Sequence, residues 1–411
     1  MAPKASRRPD LEVHLGMGTQ VVGRLHLGSG KRSAFSYDDR WLRDARFFTL
    51  SPDLQPILGV QHPRDVFFLA LEDTAPDAWG ERVIRRAHAK LRQDDRDTPA
   101  LAPVDFTMWV DDEARLGALR LFDPRAKVYL RAGGLHRHVP PLVELDRVVQ
   151  AARALEAGTE STQDLRYLLG QGTSLGGARP KSTVRDTDGR LAVGKFPSQA
   201  DQRDVIRGEV LAMQLAARAG IDVAPARVEM INGTAVAIIR RFDRGQGGGR
   251  IPYMSAATML QSDGRDATHA YTELVDALLQ VGASPIADIH ELWRRLVFNF
   301  LICNTDDHLR NTGFLYDARN HGWRLSPAFD LNPMPGDRRE SKTWLTEDAG
   351  VIDSRNLLMA GAPYFRLDTA QATAIWVEVS RAVEGWRSVA RRLGMRSTDL
   401  LDFEAAFWNT V

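Results

Sequence analysis

The sequence predicts an α+β fold in two halves, a mixed strand–helix half followed by a mostly helical one. Three observations predict it. Short apolar runs broken by glycine, as in "TQVVGRLHLGSGKRSAFSYD", mark hairpins in the early chain. Apolar residues at helical spacing take over in "DVIRGEVLAMQLAARAG", where Ile206, Val210, Met213 and Ala217 recur and Gly220 follows as the stop. From residue 254 onward nearly every segment reads as helix.

Composition bounds the rest. With 411 residues, 44% of them hydrophobic, the chain can build two or three packed domains. The 54 basic and 53 acidic residues leave a formal charge of +1. That balance gives no reason to expect a general nucleic-acid or membrane-surface binder, though it leaves room for local patches. The single cysteine, Cys303, lies in an apolar run and is expected in the core. It rules out a disulfide framework and suits a reducing, cytoplasmic setting. No apolar stretch reaches the ~18 residues that span a bilayer, so no membrane partner is expected. The start, "MAPKASRRPD", has no apolar core behind its charges and reads as a frayed tail, not a secretory signal.

Three segments are expected. Residues 1–125 form an N-terminal subdomain with a hairpin at Gly28–Gly30 and a helix opening at Pro76 and Asp77. The Pro-, Gly- and base-rich stretch 123–141 reads as a connection. Residues 142–253 hold a helix stopped by Gly158, the glycine-punctuated loop "LRYLLGQGTSLGGARPKSTV", a short strand "RLAVGKFP", a helix, and a hairpin turning at Asn232-Gly233. Residues 254–411 form the helical half. An apolar helix over 290–303 runs into "NTDDHLRNTGF".

That last stretch raises the chemical question. Phosphoryl transfer asks a protein for positioning and charge neutralisation. It uses a glycine-rich loop over the phosphates, a lysine on the next strand, a carboxylate for the nucleophile's proton, and an asparagine and second carboxylate for magnesium. Asp306 and Asn311 stand five apart, the spacing of a kinase catalytic loop. Asp330, in "LSPAFDLNP", ends a short apolar run as a second magnesium ligand would. Gly176 and Gly177 can let backbone amides approach an anion. Lys195 is a lysine bracketed by apolar residues on a strand, and Glu209 on the following helix is a candidate partner for it. His308 is a candidate phosphate contact. Each of these alone is as readily an ordinary turn, loop or surface residue; their order and company carry the reading. "GTSLGGARPKST" ends like a Walker A loop but has Pro180 before Lys181, which removes an amide the cradle needs. No zinc-ligand spacing occurs.

Together "SLGGARPK", "AVGKFP", "IIRRFDR", "NTDDHLRN" and "LSPAFDLNP" resemble the HipA family of type II toxin–antitoxin serine/threonine kinases, in family order. "LEDTAPDAWGERVIRR" and "ARLGALRLFD" are similar to its N-terminal subdomain. The resemblance covers roughly residues 15 to 385 and implies a two-lobed protein-kinase-like fold with a mostly helical C-terminal lobe. It implies that Asp306 is catalytic and that Asn311 and Asp330 hold Mg2+. It places Gly176, Gly177, Ala178, Arg179, Pro180 and Lys181 in the phosphate loop, Lys195 and His308 at the ATP phosphates, and Arg240, Arg241 and Phe242 at the adenine hinge. Ser174 falls where family members autophosphorylate. The implied partners are a helix-turn-helix antitoxin, DNA only through that antitoxin, and a protein substrate such as an aminoacyl-tRNA synthetase. One departure is Asp307, where the family often has glycine; it leaves open which aspartate is the base, although Asp306 fits the spacing to Asn311. The alternative is a catalytically inactive ATP-binding module that serves as a partner-binding or DNA-complex subunit.

Overall fold

The structure, a computed structural model, describes residues 8, 10–28, 31–130, 139–169, 177–262, 268–336 and 341–407. Ser174, Gly176, most of the N-terminal tail and residues 131–138 of the expected connection lie outside the described residues. The chain divides into two compact units: Met1–Gln199 with Asp243–Met254, and Ala200–Phe242 with Ser255–Val411. These cut across the segments 142–253 and 254–411 expected above.

In the first unit an antiparallel sheet runs in the order Ala34–Tyr37, Gln20–His26, Leu11–Leu15, Leu119–Asp123, Val128–Tyr129. Its buried face sets Leu11, Val13, Val22, Leu25, Phe35 and Leu121 against Trp41, Phe68 and Val104. The expected hairpin is present, with Leu25 opposite Phe35. The stretch read as a connection is partly strand. Asp123 accepts from the Arg125 and Ala126 amides at 2.8 and 3.2 Å, and this side-chain turn folds Val128–Tyr129 back onto the sheet. The glycine-punctuated loop is also shorter than read. Ser161 and Asp164 form a reciprocal cap that starts a helix over Thr162–Leu168, and Lys181–Arg185 is a strand paired with Leu191–Lys195.

Segment 243–254 is tied to this unit by buried charge. Asp243 accepts from the Gly117 amide at 2.7 Å. Arg244 donates to the carbonyls of Glu113 and Arg115 at 3.1 and 2.8 Å. Arg250 pairs with Asp112 at 3.0 Å.

In the second unit the Val205–Arg218 helix buries Ile206, Val210 and Met213, leaves Ala217 exposed, and is followed by Gly220 at φ 73°. Ala226–Ile231 and Thr234–Arg240 form the expected hairpin, with Asn232 and Gly233 both at positive φ, the geometry a two-residue turn needs to match strand twist. The apolar helix spans Pro285–Leu301, longer at its start than read, and buries Trp293, Val297 and Phe298. It packs on the Tyr271–Val281 and Thr369–Glu384 helices. Among the described residues no helix is long and apolar enough to cross a membrane.

One hairpin, Gly313–Asp317 with Gly322–Leu325, lies in the half read as helical. Its inward set, Phe314 and Tyr316 opposite Leu325 and Trp323, follows a period of two. It docks where Ala283 donates to the Trp323 carbonyl at 2.9 Å. A Cβ on Gly322 would come within 2.7 Å of the Ala283 nitrogen. Gly322→Ala is therefore expected to destabilise the chain by about 1–3 kcal/mol through overpacking, read as a lowered thermal midpoint.

A buried ion pair fixes the Lys181–Lys195 hairpin. Asp77 caps the Ala78–Asp94 helix through the Gly80 amide at 2.8 Å. Its other oxygen takes the Lys181 ammonium at 2.7 Å, with both side chains almost wholly buried. Burial pushes the Asp77 carboxyl up, while Lys181, the Gly80 amide and Lys195 pull the other way. Removing one partner strands a buried charge. Asp77→Ala should cost about 3–5 kcal/mol of stability, and adding Lys181→Met should restore much of it in urea unfolding.

Candidate functional site

The Pro285–Leu301 helix ends abruptly. Ile302 is its C-cap, and buried Cys303 follows in the left-handed region at φ 52°, a conformation uncommon outside glycine and asparagine. Asn304 is then held to the helix through its amide on the Asn299 carbonyl at 2.9 Å and its Nδ2 on Asn299 Oδ1 at 3.1 Å. This rigid post delivers Asp306, Asp307, His308 and Asn311.

The two aspartates meet different surroundings. The Asp306 side chain is 40% exposed and its Oδ1 takes the Lys342 ammonium at 2.5 Å. Asp307 is buried. It accepts from the Tyr271 hydroxyl at 2.9 Å, the Lys342 amide at 2.7 Å, the Thr343 amide at 3.4 Å and the Ser341 hydroxyl. Burial pushes the Asp307 carboxyl up and these donors pull it back. Burial and the charge of Asp307 together push the Tyr271 phenol up. Asp307 is thus spent on internal donors, and Asp306 keeps the open face.

Asn311 donates Nδ2 to the Asp306 carbonyl at 2.7 Å. That bond fixes the amide so that Oδ1 is buried with no hydrogen-bond partner. An orphaned buried oxygen is costly for a protein alone and is the donor type a hard cation takes. Asp330 supplies the charged oxygen. Its backbone is left-handed, at φ 54°, and the Asn332 amide donates to its Oδ1 at 3.2 Å. The segment before it is pinned: the Ala328 amide donates to the Asp222 carbonyl at 2.7 Å, and buried Arg295 donates to the Ser326 carbonyl at 2.9 Å. Asn311 and Asp330 line one small cavity of about 30 Å³ with Asn299, Asn304 and Asp307, room for about one water. The oxygen donors present fit magnesium, which takes few protein ligands and keeps waters and phosphate oxygens for the rest. Among the described residues no group of three or more His, Cys, Asp or Glu is arranged as a metal site.

Of the hinge residues, Phe242 lies against Phe329 with ring centroids 5.2 Å apart, which sets the end of that strand beside the Asp330 segment. Arg241 is buried and Arg240 half-buried; the Arg240 amide donates to the Pro225 carbonyl at 2.9 Å. His308 is half-buried, and its Nδ1 is a buried atom without a hydrogen-bond partner.

The remaining residues belong to the first unit. Gly177 has φ 77°, and Ala178 and Arg179 are exposed, whereas Pro180 is buried. Lys181 stands opposite Lys195 in the hairpin register, and both are buried. Like charges directly across a strand pair repel. Asp77 offsets the charge of Lys181. The Lys181 ammonium also donates to the Gly177 carbonyl at 3.1 Å, so Lys181 braces the turn from inside. Glu209 is buried in its helix.

Three participants were not found by reading the sequence. Asp77 was read only as a helix start, Asp307 only as a second carboxylate, and Lys342 not at all. "ESKTWL" carries no local signal for a lysine at Asp306, because the contact is made over 36 residues by backbone anchoring.

Comparison with known proteins agrees with the geometry. Residues 173–386, just over half of the chain, match the model of the HipA-like C-terminal domain. The candidate kinase Y4mE of Sinorhizobium fredii (strain NBRC 101917 / NGR234) is 28% identical over 52% of this chain and 54% of its own length. The candidate kinase Y4dM of the same strain is 33% identical over 33% of this chain and 36% of its own length. The chain therefore spans about half or less of the length of these relatives. Among solved structures, the HipA complex of Shewanella oneidensis MR-1 with HipB and operator DNA gives a TM-score of 0.67 at 16% identity, over 97% of this chain and 95% of that one. That likeness gives the fold: α+β, of the protein-kinase-like type. The site's order in sequence, its fold and the matched span lead to one conclusion: the chain belongs to the HipA-like family.

Proposed function

We propose that this chain is an ATP- and Mg2+-dependent serine/threonine protein kinase, the toxin component of a HipA-type toxin–antitoxin system. The observation that carries the proposal is the pairing of Asn311 with Asp306. One hydrogen bond turns the asparagine so that its oxygen is orphaned beside Asp330, and it does so from the backbone of the residue whose carboxylate stays open.

In this reading Asp306 accepts the proton of a substrate hydroxyl as that oxygen attacks the γ-phosphorus. The bond to the β-phosphate oxygen breaks and ADP leaves. Asn311 and Asp330 would hold the metal. Magnesium, when bound, neutralises charge on the transferring phosphates. Lys181 and Lys195, together with the turn amides from Gly177, would face the anionic phosphates. Arg240, Arg241 and Phe242 would offer backbone to adenine. Ser174 is the proposed autophosphorylation site; a phosphate there adds about −1.5 to −2 charge and would compete with ATP for the same loop donors.

The partners follow from the relative solved with HipB and operator DNA. A helix-turn-helix antitoxin is the proposed partner, with DNA reached only through it, and the near-neutral charge of this chain supports that division. The proposed substrate is a translation protein such as an aminoacyl-tRNA synthetase, and the proposed setting is the cytoplasm.

Incubation with γ-labelled ATP and magnesium should label the chain on the peptide carrying Ser174, or a co-purified protein, and chelation should abolish the label. Asp306→Asn should lower the rate by about 10²–10⁴-fold, the worth of a general base. Label at the wild-type rate in that variant would refute the assignment. Retained ATP binding without any label would point instead to the inactive module.

A further inference from the structure

Asp307 and Lys342 form a device that the kinase parts list does not contain. Asp307 sits inside the second unit and receives donors from the 341–343 segment at every turn: the Ser341 hydroxyl, the Lys342 amide and the Thr343 amide on its carboxylate, and the Thr343 hydroxyl on its carbonyl at 2.7 Å. Tyr271 completes the set from the helix below. A buried carboxylate left short of donors costs several kcal/mol, so this set strongly determines where the 341–343 backbone lies. The consequence is on the surface. Lys342, whose side chain is 57% exposed, lands with its ammonium 2.5 Å from Asp306 Oδ1. An exposed ion pair by itself is worth little and would not hold a segment in place. Here the order is reversed, because the backbone is fixed by the neighbouring buried residue and the lysine is delivered by it.

We propose that Lys342 is a positioning residue for phosphoryl transfer, held on Asp306 by the Asp307 anchor. The proposal rests on the kinase reading above. A general-base carboxylate must hold one oxygen toward the substrate hydroxyl, and the 40% exposed side chain of Asp306 would otherwise be free to turn. A cation fixed on Oδ1 of Asp306 orients the carboxylate, without taking or giving a proton itself. It does so at no cost of reorganisation, because its backbone is already in place. The device also accounts for Asp307 where the resemblance expects glycine. A glycine could not anchor 341–343 through a side chain.

The test uses the full chain in the labelled-ATP assay with three variants. Lys342→Ala should lower kcat by about 10²-fold, the scale of losing one fixed donor at a transition state. The KM for ATP should change little, because Asn311 and Asp330 are untouched. Lys342→Arg should restore most of the rate, since it returns a cation of similar reach. Asp307→Ala should lower kcat to a similar degree, and the Asp307→Ala/Lys342→Ala double variant should be no worse than the poorer single one. Hydrogen exchange should show slow amides at Lys342 and Thr343 in the wild type and fast ones in Asp307→Ala. Unchanged or faster transfer by Lys342→Ala, with Asp306→Asn inactive in the same assay, would overturn this role and leave the kinase reading standing. So would a loss that falls on the KM for ATP, additive losses in the double variant, or unchanged exchange. A wild type that transfers nothing would overturn the kinase reading and this role with it. Because Lys342 is exposed, its substitution tests the role even where Asp307→Ala does not fold.

Discussion

A carboxylate taken out of water must be surrounded by donors, and each of the two units holds one that fixes a distant segment of its own chain. Asp77 is buried at the start of a helix and holds Lys181. Asp307 is buried at the end of another and holds the 341–343 segment. In both cases the partner is remote in sequence: Lys181 opens a strand, and the 341–343 segment has no regular structure of its own. Neither interaction is catalytic in kind. Each converts the cost of burying a charge into a fixed position for a chain segment. The arrangement is demanding, because losing one donor leaves the others facing an under-satisfied ion.

Two bends of the second unit carry backbone strain. Cys303 and Asp330 both adopt positive φ although neither is glycine. Such residues cost about 1–3 kcal/mol each and persist where surrounding structure over-determines them. Cys303 is over-determined by its burial and by Asn304, bound back to Asn299. Asp330 is over-determined by Asn332 on one side and by the pinned Ser326–Ala328 stretch on the other. The first bend stops an apolar helix and releases the loop of Asp306. The second turns a short apolar run so that a carboxylate leaves the core. Together they explain why groups that bind protons and cations follow a buried helix in this sequence.

What the sequence made legible was local. The Asn232-Gly233 turn, the Gly158 stop, the Asp77 helix start and the Asp306 to Asn311 spacing each depend on neighbours within a few residues, and each can be read from them. The Gly313–Leu325 hairpin was not read, because its two strands are short and sit among helices; only the alternation of Phe314, Tyr316, Trp323 and Leu325 gave it away. The strand at Lys181 was hidden by the glycines before it. The Thr162–Leu168 helix was hidden by the glycines after it, although the Ser161–Asp164 cap was a fair signal. Lys342 and the anchoring role of Asp307 were out of reach for a different reason. Their contacts join positions more than thirty residues apart, and neither position shows periodicity or motif that would pair them.

The adjacent aspartates show how environment alone divides two identical groups. In sequence they differ only by one place in the spacing to Asn311. In the fold one is enclosed by Tyr271, Ser341 and two amides, so it has no lone pair to offer a substrate. Its neighbour faces outward, its Oδ1 touched by the Lys342 ammonium, and its backbone carbonyl orients Asn311. Burial raises the proton affinity of the first and removes it from reach, while the second stays accessible. Two different environments can in this way give one residue type two different uses. A second aspartate beside a catalytic one therefore need not be a spare base or an extra metal ligand. Here its carboxylate is directed inward, onto the 341–343 segment that carries Lys342.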